Sequence, residues 1–170
     1  MAKSNIVLIG MPGAGKSTMG VVLAKVLGYD FVDGDILIQN EKGKTLQKII
    51  DEVGPLGFIE VENEVLSKIE TQSCVIATGG SAIYSEQAME HLGEIGTIVY
   101  LKVSLEELCV RLGSLHERGV VMRDGRSMPL RAIYEERIPY YERYAEITLD
   151  CNGMDLRESV RKLVDMLSLI

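Results

Sequence analysis

Short apolar runs alternate along this chain with longer segments of helical periodicity, the pattern of a parallel sheet flanked by helices. The runs predict strands at Asn5–Gly10, Phe31–Asp33, Cys74–Thr78, Thr97–Val103 and Glu146–Cys151. Between and after them the periodicity predicts helices at Gly15–Leu27, Ile36–Gly43, Thr45–Val53, Gly57–Thr71, Ser85–Leu92, Ser104–Gly113, Pro129–Tyr144 and Asp155–Leu169. Ser104-Leu-Glu-Glu107 reads as a capping box, and Asp155 with Glu158 as another. Pro129 suits a first helical turn, whereas Pro139 predicts a kink or break in its helix. Leu115–Ser127 departs from the pattern: it carries His116, Arg118, Arg123, Arg126 and two glycines, and predicts a mobile surface loop.

The chain has 170 residues, 46% hydrophobic and 25% charged, which fits a single globular domain over 1–170. Aromatic residues are 5% with no Trp, which argues against base-stacking platforms and aromatic sugar sites. A net charge of −7 argues against a broad basic surface for nucleic acid. The three cysteines, Cys74, Cys109 and Cys151, are widely spaced, and His91 and His116 are isolated, so neither a zinc site nor a disulfide framework is indicated. No apolar run reaches the ~18 residues a membrane span needs. Ile6–Gly10 runs straight into Gly- and Lys-bearing sequence and reads as a first buried strand of a cytoplasmic protein rather than a signal peptide.

Gly10-Met-Pro-Gly-Ala-Gly15-Lys16-Ser17-Thr18 matches GxxxxGK[ST] between a predicted strand and a predicted helix. Glycines let backbone N–H groups close around phosphate oxygens, and the helix N-terminus adds its positive end. Gly13, Ala14, Gly15, Lys16, Ser17 and Thr18 are therefore the candidate ATP-binding residues. Lys16 reaches the β- and γ-phosphates, and the Ser17 hydroxyl can join a Mg²⁺ shell. No NKxD or LSGGQ motif is present, and the best candidate for a late acidic strand end, Ile147-Thr-Leu-Asp150, is poorly placed. Small nucleotide-dependent kinases remain the leading class.

Asp33-Gly34-Asp35 ends the second predicted strand, on the edge of a parallel sheet where ligands bind. One carboxylate can hold Mg²⁺ and the other orient or deprotonate a hydroxyl; the structural alternative is an Asp/Gly turn with Asp35 as helix N-cap. Gly79-Gly80 after the third strand lets a ligand approach the backbone closely. Arg118 and Arg137 are candidate anion ligands, and a solvated surface role is the alternative for each.

These features, in this order, together with Glu136-Arg137-Ile-Pro139-Tyr140, resemble the shikimate kinases, of the nucleoside-monophosphate-kinase-like P-loop group. The resemblance spans essentially the whole chain. It implies an α/β P-loop three-layer sandwich: a five-stranded parallel sheet, a mobile lid near 115–127 and a helical substrate-binding segment near 33–62. Lys16 and Ser17 would serve the phosphates and Mg²⁺, with Asp33 assisting the metal. Asp35 would orient or deprotonate the reacting diol, Gly79 and Gly80 would meet the substrate, and Arg137 would hold its carboxylate. Arg118 would be the lid arginine on the transferring phosphate, and Arg111 would lie against adenine. Two positions depart from the family's pattern: Ser81 replaces the third glycine of the turn, and Ile59 in Phe58-Ile59-Glu60-Val61-Glu62 stands where the family carries a second carboxylate-binding arginine. Glu62 matches the family position and could buttress a substrate-binding arginine, while Glu60 and Glu64 read as a solvated face. The expected reaction is phosphoryl transfer from ATP, with Mg²⁺, to a small hydroxyl-bearing metabolite. Shikimate leads; another hydroxyl compound, or a nucleotide-binding regulator without turnover, are the alternatives. A monomer is expected, with no nucleic-acid or membrane partner.

Overall fold

A computed structural model describes residues 3–112 and 129–169. Five parallel strands, β1 (Asn5–Ile9), β2 (Asp30–Asp33), β3 (Cys74–Ala77), β4 (Gly96–Lys102) and β5 (Ile147–Asp150), stand in the order β2-β3-β1-β4-β5. The helices are α1 (Lys16–Leu27), α2 (Gly34–Lys42), α3 (Leu46–Leu66), α4 (Glu86–Ile95), α5 (Leu105–Leu112), α6 (Leu130–Tyr144) and α7 (Leu156–Leu167). Parallel strands joined by crossover helices are covered on both faces, which is why β1 and β3 are apolar at nearly every position rather than alternating. Leu8, Ile76, Val99 and Leu149, one from each of the four strands β1, β3, β4 and β5, lie in one fully buried core. This is the α/β architecture expected from the sequence.

Asn5, at the start of the central strand, is a buried polar tie among the apolar residues. Its Nδ2 donates to the Thr71 carbonyl at 2.8 Å and the Ile95 carbonyl at 2.9 Å, and its Oδ1 accepts from the Cys74 amide at 3.1 Å. One side chain thereby satisfies three backbone groups where the chain enters β3 and β4, the Cys74 amide among them being buried.

Three local expectations are corrected. The helices predicted at Thr45–Val53 and Gly57–Thr71 lie end to end within α3, broken at Gly54 (φ 74°, ψ 171°), and the second ends at Leu66 rather than Thr71. Gly54 takes a backbone conformation hostile to a Cβ, and Pro55 follows it without the need for an amide donor. Pro139 does not break α6: Ile133, Arg137 and Tyr141, spaced four apart, are buried along one face and hold both halves against the sheet. Packing of that face outweighs the lost hydrogen bond. The Ser104 capping box is only half formed. Ser104 Oγ accepts from the Glu107 amide at 3.3 Å, but the Ser104 amide donates to Asn152 and the Glu107 carboxylate is held by Arg111. The Asp155–Glu158 box forms in both directions.

The Asn5 tie gives a stability prediction. Asn5→Ala would strand the buried Cys74 amide and unpair two carbonyls, and should lower the unfolding free energy by about 1–3 kcal/mol. Urea denaturation followed by circular dichroism measures it; an unchanged midpoint would show that the three groups find other partners.

Candidate active site

The C-terminal ends of β1, β2 and β3 deliver three loops to one place. After β1 the P-loop turns sharply, with the Ala14 amide donating to the Met11 carbonyl at 3.0 Å, and α1 begins behind Gly15. Lys16 folds back across this loop, its Nζ donating to the carbonyls of Gly10 at 2.7 Å and Met11 at 3.0 Å. It is buried, and loss of hydration pulls its pKa down to about 8, against the opposing attraction of Asp35.

After β2, Asp33 rather than Asp35 caps the next helix. Its Oδ1 accepts from the amides of Asp35 and Ile36, and its Oδ2 accepts from the Ser17 hydroxyl at 2.5 Å. The N-cap alternative for Asp35 is thereby excluded, since Asp33 does that work and leaves the Asp35 carboxylate to face the site. Burial first, and repulsion from Asp33 second, raise the Asp35 pKa, while Lys16 opposes the rise.

After β3 the chain makes the Gly79-Gly80 turn, and both glycines are dictated by space. A Cβ on Gly79 would collide with Glu62 Oε1 and stand 2.9 Å from Asp35 Oδ1. A Cβ on Gly80 would stand 2.7 Å from Arg137 Nη1 and 3.1 Å from Pro12 of the P-loop. Two carboxylates and one guanidinium therefore converge on a bare turn that abuts the phosphate loop. Arg137 is fully buried, held by a 3.1 Å hydrogen bond from its Nε to the Tyr84 hydroxyl and by a further one with Tyr141. Tyr141, stacked on Tyr100 from the core side, donates to the Gly80 carbonyl at 3.2 Å.

On the other side of the P-loop lies a cavity of about 380 Å³ lined by Gly13, Gly15, Thr18, Arg111, Cys151 and Met154, among others. Arg111 reaches it from α5, donating to the Ala14 carbonyl at 3.2 Å and pairing with Glu107.

The family model described as Shikimate kinase matches residues 12–168. The chain belongs to the shikimate kinase family. A shikimate kinase of Francisella tularensis subsp. holarctica is 37% identical over 161 residues, 94% of this chain and 92% of that one. One of Thiobacillus denitrificans is 34% identical over 169 residues, 99% of this chain and 92% of that one. Among solved structures, the Acinetobacter baumannii shikimate kinase in complex with shikimate superposes with a TM-score of 0.88 at 31% identity, covering 99% of this chain and 94% of that one. The chain is accordingly an ATP-dependent kinase with a hydroxyl acceptor.

Set in this family, the residues singled out in the sequence divide into three groups. Lys16, Ser17, Asp33, Asp35, Gly79, Gly80 and Arg137 are brought to one edge of the sheet. Gly13, Ala14, Gly15, Thr18 and Arg111 surround the neighbouring cavity or its rim. Arg118 and the lid near 115–127 lie outside the described residues. Ile59 sits half-buried on α3, one residue after the buried Phe58, and its carbonyl accepts from Ser85 at 3.4 Å. It brings no cation. Of the arginines that could replace the missing one, Arg131 is 72% exposed and lies 3.8 Å from Glu135, while Arg123 and Arg126 lie outside the described residues. Glu64 lies on the solvated face as expected, bridging Lys42 and Lys68.

Ser81, Tyr84 and Tyr141 carry more than the sequence disclosed. The Ser81 hydroxyl donates to Glu62 Oε2 at 2.5 Å, so the apparent mild departure from a third glycine supplies a hydrogen bond to a buried acid. The spacing of Tyr141, four residues after Arg137 on one helix, is a legible signal; Tyr84 carries none.

Glu62 is fully buried, its Oε1 has no hydrogen-bond partner among the described residues, and desolvation pushes its pKa up to about 7 despite the Ser81 bond. A raised folded-state pKa means that the folded chain binds this proton more tightly than the unfolded chain. The resulting stability is complete below the ordinary 4.5 and is lost as pH rises through about 7. Glu62→Gln, which stays neutral, should gain stability relative to wild type across that window, by up to about 3 kcal/mol at the alkaline end. Chemical denaturation of both proteins at pH 4.5, 6 and 8 measures it. A constant difference between the two would mean that Glu62 is ionised throughout.

Proposed function

We propose that the chain transfers the γ-phosphoryl group of ATP to a ring hydroxyl of shikimate, forming shikimate 3-phosphate and ADP. The observation that carries this reading is the convergence of Asp35 Oδ1 and Arg137 Nη1 on the Gly79-Gly80 turn, directly against Pro12 of the P-loop. This reading takes Asp35 as the acid for a hydroxyl, Arg137 as the cation for a carboxylate and the P-loop as the phosphate cradle of one small polyol acid. The relative solved with shikimate bound has the same fold over nearly its whole length.

In the proposed reaction Asp35 accepts a hydrogen bond from the acceptor hydroxyl, aligns its oxygen on the γ-phosphorus and receives its proton as the new P–O bond forms and the bond to ADP breaks. Lys16 exchanges the Gly10 and Met11 carbonyls for phosphate oxygens and stabilises the charge that accumulates there. Arg118 is assigned to the same charge from the lid near 115–127, and Arg111 to the adenine side. Ser17 Oγ and Asp33 Oδ2, 2.5 Å apart, form a hard-oxygen pair suited to Mg²⁺, and they are the residues that would hold it. When bound, that ion neutralises phosphate charge. The whole chain, 1–170, is read as one kinase domain with its acceptor segment near 33–62, acting as a cytoplasmic monomer.

Asp35→Asn should lower kcat by on the order of 10²-fold or more while leaving ATP binding nearly unchanged. A coupled ADP-release assay with shikimate, beside calorimetric titration of ATP, measures both. Full turnover in the Asn variant would remove Asp35 from the chemistry.

A second reading keeps the reaction and changes the acceptor, and Ile59 favours it. One arginine where the family has two weakens carboxylate recognition, and an apolar side chain accommodates a neutral group better. Ile59→Arg decides between them. With shikimate as the natural acceptor, the substitution should lower its KM about 10-fold, equivalent to about 1.4 kcal/mol. With a neutral acceptor, it should impair the native reaction while raising shikimate turnover.

A further inference from the structure

Arg137 is 1% exposed, yet it must present one particular edge of its guanidinium to a ligand. A flexible arginine would spread its charge over several directions and lose part of its affinity to ordering entropy. Besides its hydrogen bond with Tyr141, a second constraint on it lies around its Nε. That atom donates to the Tyr84 hydroxyl at 3.1 Å, and the same hydroxyl donates onward to Glu136 Oε1 at 2.9 Å. The guanidinium carbon also lies 5.3 Å from the centroid of the Tyr84 ring. The ring is itself fixed edge-on by Tyr140, with centroids 5.5 Å apart.

Tyr84 closes the short 3₁₀ turn Ala82–Tyr84, which follows Gly79-Gly80-Ser81 without interruption. The turn is pinned to α3 through the Ser85 hydroxyl, which donates to the Ile59 carbonyl. The arginine on α6 is therefore referenced, through one phenol, to the same loop whose bare glycines face the acceptor. With Nε held on this side, Nη1 stands over Gly80.

We propose that Tyr84 is the positioning residue of the acceptor-anion subsite: its hydroxyl accepts from Arg137 Nε and donates to Glu136, which sets the direction in which the guanidinium meets a carboxylate on the acceptor. A phenol suits this position because it accepts and donates at one atom, which neither Phe nor a carboxylate does. Donation to Glu136 polarises the hydroxyl oxygen and strengthens the bond it takes from the cation. Among the described residues Ile59 brings no second cation to this region, which gives weight to the aim of Arg137. The inference rests on the acceptor reading given above.

Tyr84→Phe keeps the ring, its contact with Tyr140 and its face toward the guanidinium, and deletes only the hydroxyl. Loss of one hydrogen bond to a charged group should raise KM for shikimate about 5–10-fold, with kcat and KM for ATP within about 2-fold of wild type. The carboxamide analogue of shikimate, which offers no anion, should show the same KM with both proteins. An unchanged KM for shikimate would overturn the proposal. So would an equal rise for the carboxamide, since a merely structural role would affect both. An NMR measurement that needs no acceptor accompanies the kinetics: the Arg137 Nε–H resonance, assigned by its loss in Arg137→Lys. It should exchange slowly with solvent in the wild type and quickly in Tyr84→Phe. If neither acceptor is turned over by the wild type, the acceptor reading fails by itself, and this resonance decides the role of Tyr84: equal exchange in the two proteins overturns it.

Discussion

Lys16, Arg137 and Glu62, with Asp35 half-buried beside them, are withdrawn from water at the C-terminal edge of the sheet, and the site's properties follow from that desolvation. Isolated charges could not be buried there, because each would lose several kcal/mol of hydration. As a group they partly compensate: Asp35 raises the affinity of Lys16 for its proton, and Lys16 and Arg137 hold down the pKa of Glu62. The compensation is incomplete: burial leaves Lys16 with a lowered pKa and both acids with raised ones.

The apolar sheet is what makes this arrangement possible. Strands β1 and β3 are buried almost throughout, so polar groups concentrate where those strands end. Asn5 at one end of β1 and the P-loop at the other mark the two places where the central strand meets polar chemistry, one structural and one functional. The turn after β3 lies between Asp35, Glu62 and Arg137 and touches Pro12. A side chain at Gly79 or Gly80 would push apart groups contributed by α2, α3, α6 and the P-loop. These two glycines are thus set by the tertiary crowding of the site and not by the dihedral requirements of a turn, since neither has a positive φ.

The two halves of the site are built differently. The phosphate half is local: strand, loop and helix are consecutive, and Lys16 is satisfied by carbonyls five and six residues away. The half proposed to meet the acceptor is assembled from distant segments, with the Tyr84–Arg137 and Gly80–Tyr141 hydrogen bonds spanning more than fifty residues. Ile59, Ser81 and Tyr84 all belong to this second set of segments, on α3 and around the turn after β3.

This difference also separates what the sequence determined from what the tertiary structure decided. Strand order aside, the α/β architecture, the P-loop and the carboxylate pair after β2 were legible, because each depends on periodicity or on residues within a few positions of one another. Local spacing did not assign the roles within that pair. Asp33 and Asp35 are equally able to cap a helix, and only the folded backbone shows Asp33 capping and Asp35 facing inward. Pro139 was misleading because its local cost is real but smaller than the burial of Ile133, Arg137 and Tyr141 on the same helix. Glu62 and Ser81, nineteen residues apart and in different elements, carry no signature of being partners. Tyr84 is one of seven tyrosines, and nothing near it in the chain distinguishes it. Its meeting with Arg137 is decided by α6 packing over the 3₁₀ turn, a contact between segments fifty-three residues apart that arises only when the core beneath both of them forms.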